Sequence, residues 1–323
     1  MTRFARIERT GGPEVIGWHE EELPPPSPGE ARVRTTAVGL NYIDTYHRRG
    51  IYPVDLPARL GTEAAGVIES VGEGVDLAPG TRVGTFGPTR GAYATARNIA
   101  ARELIPLPDD IDDRTAAAIL LKGCTTEFLV ERCARVQPGQ TALVWAAAGG
   151  VGHLLVGWLQ AIGAVVIGVA GGGEKVAGVL AAGADHAIDH RAEDVAARVR
   201  EITNGEGVPV VFDGVGMASW DASLAAAARR GLIVSYGNAS GPVTGLGLGI
   251  LASRGSLFVT RPTLFDFYAK PDERAAGLDR LWAMLRRGAI QPEVGQTFPL
   301  EAAAEAHRAL EAGETRGSTL LLP

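Results

Sequence analysis

Ala146-Ala147-Ala148-Gly149-Gly150-Val151-Gly152 follows the apolar run Thr141-Ala142-Leu143-Val144-Trp145 and precedes a segment carrying Leu154, Leu155, Trp158 and Leu159. A strand, a tight glycine turn and a helix in that order can hold a dinucleotide pyrophosphate. The helix start offers unpaired backbone N–H groups and the positive end of its dipole, and glycine lets phosphate approach the backbone closely. Ala148, Gly149, Gly150 and Val151 are the candidate phosphate contacts. Ala147 stands where the first glycine of the fingerprint usually does, so the flanking strand and helix carry the reading.

The residues after the next strand bear on which dinucleotide is held. An NAD-binding fold places Asp or Glu there, to accept from the ribose 2′-hydroxyl. Here Val165-Val166-Ile167-Gly168-Val169-Ala170 runs into Gly171-Gly172-Gly173, and the first carboxylate, Glu174, is followed at once by Lys175. Loss of the acid removes repulsion against a 2′-phosphate. Lys175 supplies attraction, and His190 and Arg191, just after the third strand, can reach the same phosphate. The pattern favours NADPH over NADH, with Gly171, Lys175 and His190 among its ligands.

Metal chemistry is not expected. Cys124 and Cys133 form no C-x-x-C, and His186 and His190 flank a strand rather than sharing a helix face. Cys124 has no histidine–acid pattern around it and is read as packing rather than as a nucleophile.

The elements that must position these residues fall into two textures. The first third is rich in Pro, Gly and short β-type runs, with Ala31-Arg32-Val33-Arg34-Thr35-Thr36-Ala37-Val38 and Gly66-Val67-Ile68-Glu69-Ser70-Val71 as strands. From about Thr125 strands alternate with amphipathic helices, at 141–147, 165–170, 186–189, 209–213, 232–236 and 256–260. Helices are expected at 194–202 and 220–229 between them, and at 272–287 and 300–311 beyond them. The fold class is α/β, with a doubly wound parallel sheet beside a mostly-β domain. The tail resembles the first domain, so the boundaries are read as 1–124, 125–261 and 262–323, the last returning to the first domain.

A net charge of −6 gives no general attraction to nucleic acid or anionic membrane. The stretch 136–173 has no Asp, Glu, Lys or Arg, but its glycines and length fit a buried strand–helix–strand better than a membrane span. The N-terminus has no apolar signal core, and a cytoplasmic location is expected.

Six ordered motifs then point to one family. They are Asn41-Tyr42-Ile43-Asp44-Thr45-Tyr46, Gly50-Ile51-Tyr52-Pro53, Gly61-Thr62-Glu63-Ala64-Ala65-Gly66, Ala146 to Gly152, Tyr236-Gly237-Asn238-Ala239-Ser240-Gly241 and Val259-Thr260-Arg261-Pro262. Over essentially the whole chain they resemble the zeta-crystallin-like quinone oxidoreductases of the medium-chain dehydrogenase/reductase superfamily. The resemblance implies a GroES-like catalytic domain, a Rossmann domain, NADPH and a homodimer. Zinc alcohol dehydrogenases of the superfamily carry Cys in the segment of Asn41 and His before the acid of Glu63; this chain has Asn41 and Gly61-Thr62-Glu63.

A zinc-free site suits acceptors that take hydride unaided, quinones first and carbonyl-conjugated alkenes second. A non-catalytic NADPH-binding protein is the alternative outside enzymes. The resemblance implies that Asn41, Asp44, Tyr46 and Tyr52 line a cleft between the domains, with Asn41 and the tyrosines donating to a quinone oxygen. Glu63 is read as a buried structural acid. The resemblance also puts Thr125, Gly237 and Asn238 near the nicotinamide. Thr260 and Arg261 come at the carboxyl edge of the last strand, where ligands bind. Arg316 is read as closing over the cofactor, and the last strand, with an open edge, as the dimer contact.

Overall fold

The computed structural model describes all 323 residues. The chain forms two compact units, one of Met1–Leu121 with Pro292–Pro323 and one of Lys122–Gln291. It leaves the first unit at Leu121 and re-enters it at Pro292, points that the sequence pattern placed at 124 and 262. The difference lies in the helix Pro271–Arg286, which belongs to the second unit. Just beyond it, the carbonyl of Ala289 lies 2.8 Å from where a Cβ on Gly157 would stand, so a glycine inside the helix Gly150–Ala161 makes that approach possible. An amphipathic pattern shows that a helix has a buried face, not which core that face enters.

In the first unit a seven-stranded sheet runs in the order Val294–Pro299, Ser318–Leu322, Glu30–Leu40, Glu63–Val71, Arg82–Phe86, Leu104–Pro106, with Ala96–Ala100 also pairing to Glu30–Leu40. A small sheet of Gly17–Glu21, Thr2–Ile7 and Ala58–Arg59 accompanies it. The strand Glu30–Leu40 alternates inward Ala31, Val33, Thr35 and Ala37 with more open neighbours, then becomes buried on both faces from Val38 to Leu40. It therefore delivers Asn41 into the interior. The register pairs Gly39 with Glu63 on one side and with Leu320 on the other. A Cβ on Gly39 would lie 2.3 Å from Glu63 Oε2 and 2.2 Å from the Ala117 carbonyl, so only glycine leaves room for that carboxylate.

The second unit holds a six-stranded, all-parallel sheet in the order His186–Asp189, Val165–Ala170, Thr141–Val144, Val208–Asp213, Ala227–Ser235, Phe258–Thr260. The first strand in sequence lies in the middle, where the order reverses, and runs straight into the glycine turn. Leu143, Ile167, Val169, Val211 and Ile233 are fully buried, as strands covered on both faces require. The charge-free stretch resolves into strand, turn, helix and strand, and no helix is long and apolar enough to cross a membrane. Several expected spans are shorter, among them the strand expected at 256–260, which runs only over Phe258–Thr260. The first strand stops at Val144 because Ala146 turns into the left-handed region at φ +51°. The helix begun at Trp220 stops at Ala226, and Arg229 and Arg230 sit in the following strand.

Candidate functional site

In the first unit the candidate residues gather around Asn41. This residue precedes the helix Tyr42–Arg49 in extended conformation, and its backbone N–H donates to Asp44 Oδ2 at 3.0 Å. The same carboxylate accepts from Thr62 Oγ1 at 3.0 Å and from the Tyr93 hydroxyl at 3.2 Å. Asp44 is wholly buried, and that burial, with the charge of Glu63 adding to it, pushes its carboxyl up to about 7 despite the three donors. Asp44 therefore does not line an open surface. It holds the backbone N–H of Asn41.

The amide of Asn41 is oriented by acceptors. Its Nδ2 donates to Glu63 Oε2 at 2.8 Å and to the Gly39 carbonyl at 3.2 Å, while Glu63 Oε1 accepts from Leu121 N at 2.6 Å. Glu63 is fully buried, the structural acid expected from sequence. Asn41 was expected to donate to a substrate oxygen. Both amide hydrogens are instead directed at Glu63 and Gly39, so Oδ1, which faces the Asp44 backbone N–H in the capping box, is the side-chain atom whose remaining lone pair can accept from a ligand.

Tyr46 is buried, with its ring 5.2 Å from that of Tyr52 and nearly edge-on to it. His47 also packs against Tyr52, ring centroids 6.0 Å apart, and burial, helped by the charge of Arg90, pushes its imidazole down to about 4. The half-buried Tyr52 thus contacts two rings.

In the second unit the candidate residues begin at the glycine turn. Ala147 N donates to the Val169 carbonyl and Gly149 N to that of Ala146, both at 2.9 Å, which closes the turn. No side chain caps the helix Gly150–Ala161, so its first N–H groups, with Ala148, Gly149, Gly150 and Val151 around them, are set for an anion. A Cβ on Gly152 would lie 2.1 Å from the Ala146 carbonyl oxygen, so strand end and helix meet closely only because the side chain is absent.

At the neighbouring strand end, Gly172 N and Arg191 N both donate to Asp189 Oδ1, at 2.9 and 3.0 Å. Those two bonds first, and then the charges of His190 and Arg191, hold the half-buried Asp189 carboxyl below its ordinary range. A Cβ on Gly171 would lie 2.7 Å from His190 Nε2 and 2.9 Å from Arg191 Nε. Lys175 follows in the first turn of the helix Gly173–Ala181. An imidazole and a guanidinium over bare glycine backbone fit a phosphate group.

Beyond the fifth strand, Gly237 packs on Gly214, whose carbonyl would lie 2.3 Å from a Cβ there. The buried Asp213 shapes this loop by accepting from Val215 N, Gly216 N, Ser219 Oγ and Ser223 Oγ. Arg261 donates to the Ser235 carbonyl at 2.7 Å, and its Nη2 donates to the side-chain oxygen of Asn238 at 3.0 Å. Arg261 thus steadies the loop bearing Asn238. Thr260 is half-buried in the last strand, and Thr125 is buried near the end of the helix Asp113–Glu127. Arg316 belongs to the first unit, is exposed, and pairs with Glu293 at 3.0 Å.

Comparison with known proteins fits both units. Residues 27–109 match the alcohol dehydrogenase GroES-like domain, and residues 182–321 match a family described as zinc-binding dehydrogenase. A quinone oxidoreductase of Pseudomonas aeruginosa is 46% identical over the full length of both chains. The chain belongs to the quinone oxidoreductase family. A structure of Escherichia coli quinone oxidoreductase complexed with NADPH has a TM-score of 0.97 at 42% identity, covering 99% of this chain and 100% of its own. A 2-haloacrylate reductase of Burkholderia is 40% identical over 100% of this chain and 99% of its own length. The zinc in the family description finds no fit here. Asn41 turns its amide nitrogen to Glu63, Thr62 is bonded to Asp44, and no three His, Cys, Asp or Glu side chains gather so as to hold a metal ion.

Sequence reasoning passed over Thr62, Arg48, Tyr93, His307, Asp189 and Asp213. Thr62 lies within a quoted motif, but Tyr93 and His307 meet across 214 positions, and no local spacing could join them.

Proposed function

We propose that the protein reduces quinones with NADPH by hydride transfer, without zinc. The cationic cradle of His190 and Arg191 over Gly171 carries the cofactor choice, since it faces the position where an NAD site would hold an acid. Bound NADPH supplies the hydride, and a proton from water completes the hydroquinone. The chain's own groups bind and orient. The helix start at Gly150 holds pyrophosphate, Lys175, His190 and Arg191 hold the 2′-phosphate, and Tyr46 and Tyr52 present phenolic donors to the acceptor oxygen. Asn41 takes a hydroxyl or N–H of the bound pair on its Oδ1. Thr125, Gly237, Asn238 and Thr260 bound the nicotinamide side, and Arg316 exchanges Glu293 for the cofactor.

Lys175→Ala is expected to raise the Michaelis constant for NADPH about tenfold, by loss of one charge-assisted contact, and to leave that for NADH nearly unchanged. Equal effects on the two coenzymes would remove Lys175 from the phosphate site.

The Burkholderia relative favours a second reading, reduction of activated alkenes by the same apparatus. A panel of benzoquinones, naphthoquinones and alkenals with NADPH separates them. Turnover of alkenals alone would replace the quinone assignment, and tight NADPH binding without turnover would favour a non-catalytic role.

A homodimer in the cytoplasm completes the proposal. The strand Phe258–Thr260 ends its sheet, with Phe258 59% exposed and Leu248 77% exposed in the same region. Pairing of that edge with a second copy would cover both. Sedimentation should give twice the 33.7 kDa chain mass, and a monomer at micromolar concentration would remove the edge pairing.

A further inference from the structure

We infer that Tyr93 and His307 are positioning residues of the acceptor site, the middle links of a one-way hydrogen-bond chain that runs from Arg48 to Asp44 and so holds Asn41. The inference deepens the quinone-reductase reading and rests on it for its kinetic consequence.

The direction of the chain follows from donor chemistry. Arg48 is 1% exposed and donates to the Gly11 carbonyl at 3.1 Å, to both oxygens of Glu311 at 2.7 and 2.8 Å, and to His307 Nδ1 at 3.1 Å. A guanidinium only donates, so His307 Nδ1 must be the acceptor nitrogen. Burial, with the charge of Arg48 beside it, pushes the imidazole down to about 3, so the ring is neutral and carries its hydrogen on Nε2. That hydrogen faces the Tyr93 oxygen at 3.0 Å. The phenol keeps its own proton, because burial first and the nearby Asp44 second push its ionisation well above the ordinary range. Its O–H is therefore the donor to Asp44 Oδ2 at 3.2 Å, the same oxygen that accepts from Asn41 N.

Every link from Arg48 to Asp44 is wholly buried or nearly so. Arg48 also ends any proton path from Glu311, since it does not release a proton. The chain is an anchor rather than a conduit. It ties the helix Ala303–Glu311, from the end of the sequence, to the residue that begins the helix Tyr42–Arg49.

The test has two arms. Imidazole nitrogen NMR of the full chain should show His307 neutral with its hydrogen on Nε2 between about pH 5 and 8. A hydrogen on Nδ1, or a charged ring, would overturn the chain without reference to any activity. In the kinetic arm, Tyr93→Phe should lower kcat/KM for benzoquinone about tenfold while the NADPH dissociation constant, read by fluorescence, moves less than about twofold. His307→Gln keeps an acceptor for Arg48 and a donor for Tyr93 and should stay near the parent, whereas His307→Leu should fall with Tyr93→Phe. A Tyr93→Phe protein with parental kinetics, or His307→Gln as slow as folded His307→Leu, would overturn the positioning role. If the parent itself turns over no quinone, the functional reading fails and the NMR arm still decides the chain.

Discussion

Gly152→Ala is expected to weaken NADPH binding on the order of a hundredfold and to lower the melting temperature by several degrees. The new Cβ would stand 2.1 Å from the Ala146 carbonyl oxygen and 2.8 Å from both Ala146 C and Ala147 Cα. All three are backbone atoms, so no side chain can rotate away to make room. Relief requires the turn after Thr141–Val144 to separate from the helix Gly150–Ala161 by about an ångström, and overpacking of this kind costs about 1–3 kcal/mol. The helix N–H groups then no longer point where the pyrophosphate sits. Hydrogen bonds to charged groups contribute about 1.5–3 kcal/mol each, so loss of one or two accounts for the hundredfold change. Fluorescence titration with NADPH checks the affinity, and a change below about threefold would show that the turn is not the phosphate cradle. Gly178→Ala, in the helix Gly173–Ala181 with nothing within 4 Å of the new Cβ, serves as the contrast. It should leave affinity alone and raise stability by up to about 1 kcal/mol.

The contrast between these glycines marks what a sequence can carry. The turn at Ala146 to Gly152 was legible because strand, glycine turn and helix are consecutive in the sequence, and Gly171, Lys175 and His190 are equally local. That the six strands form one parallel sheet followed from the same alternation of strands and helices. The acceptor side was legible only as residue types. Asn41 was visible, yet its polarity depends on Glu63 and Gly39, brought to it by strand register rather than by proximity in sequence. Tyr93 and His307 carry no signature at all, because a hydrogen bond across 214 positions leaves no spacing to read. Arg261 was legible from its place after the last strand, but its bond to the Ser235 carbonyl was not, because it crosses 26 positions.

Asp44→Asn is expected to stabilise the protein at pH 8 and to leave it nearly unchanged at about pH 4. The carboxyl stands at about 7 in the folded chain against an ordinary value of 3.8. A raised acid binds its proton more tightly in the folded state than in the unfolded one. Stability therefore falls as pH rises from about 4 to about 7, and stays low above that. The shift corresponds to a penalty on the order of 4 kcal/mol at alkaline pH, carried by a buried anion that also faces Glu63. Asparagine fits the same bonds. Its Oδ1 can accept from Asn41 N and the Tyr93 hydroxyl, and its Nδ2 can donate to Thr62 Oγ1, whose hydroxyl hydrogen rotates away. Only the charge is removed. Chemical denaturation across the pH range should show a slope between about pH 4 and 7 in the parent and a flatter curve in the variant. Parallel curves would mean that Asp44 is not the group that titrates. The donors aimed at the carboxylate from Thr62, Tyr93 and Asn41 offset only part of the burial that raises it, which is why removal of the charge is expected to stabilise the fold.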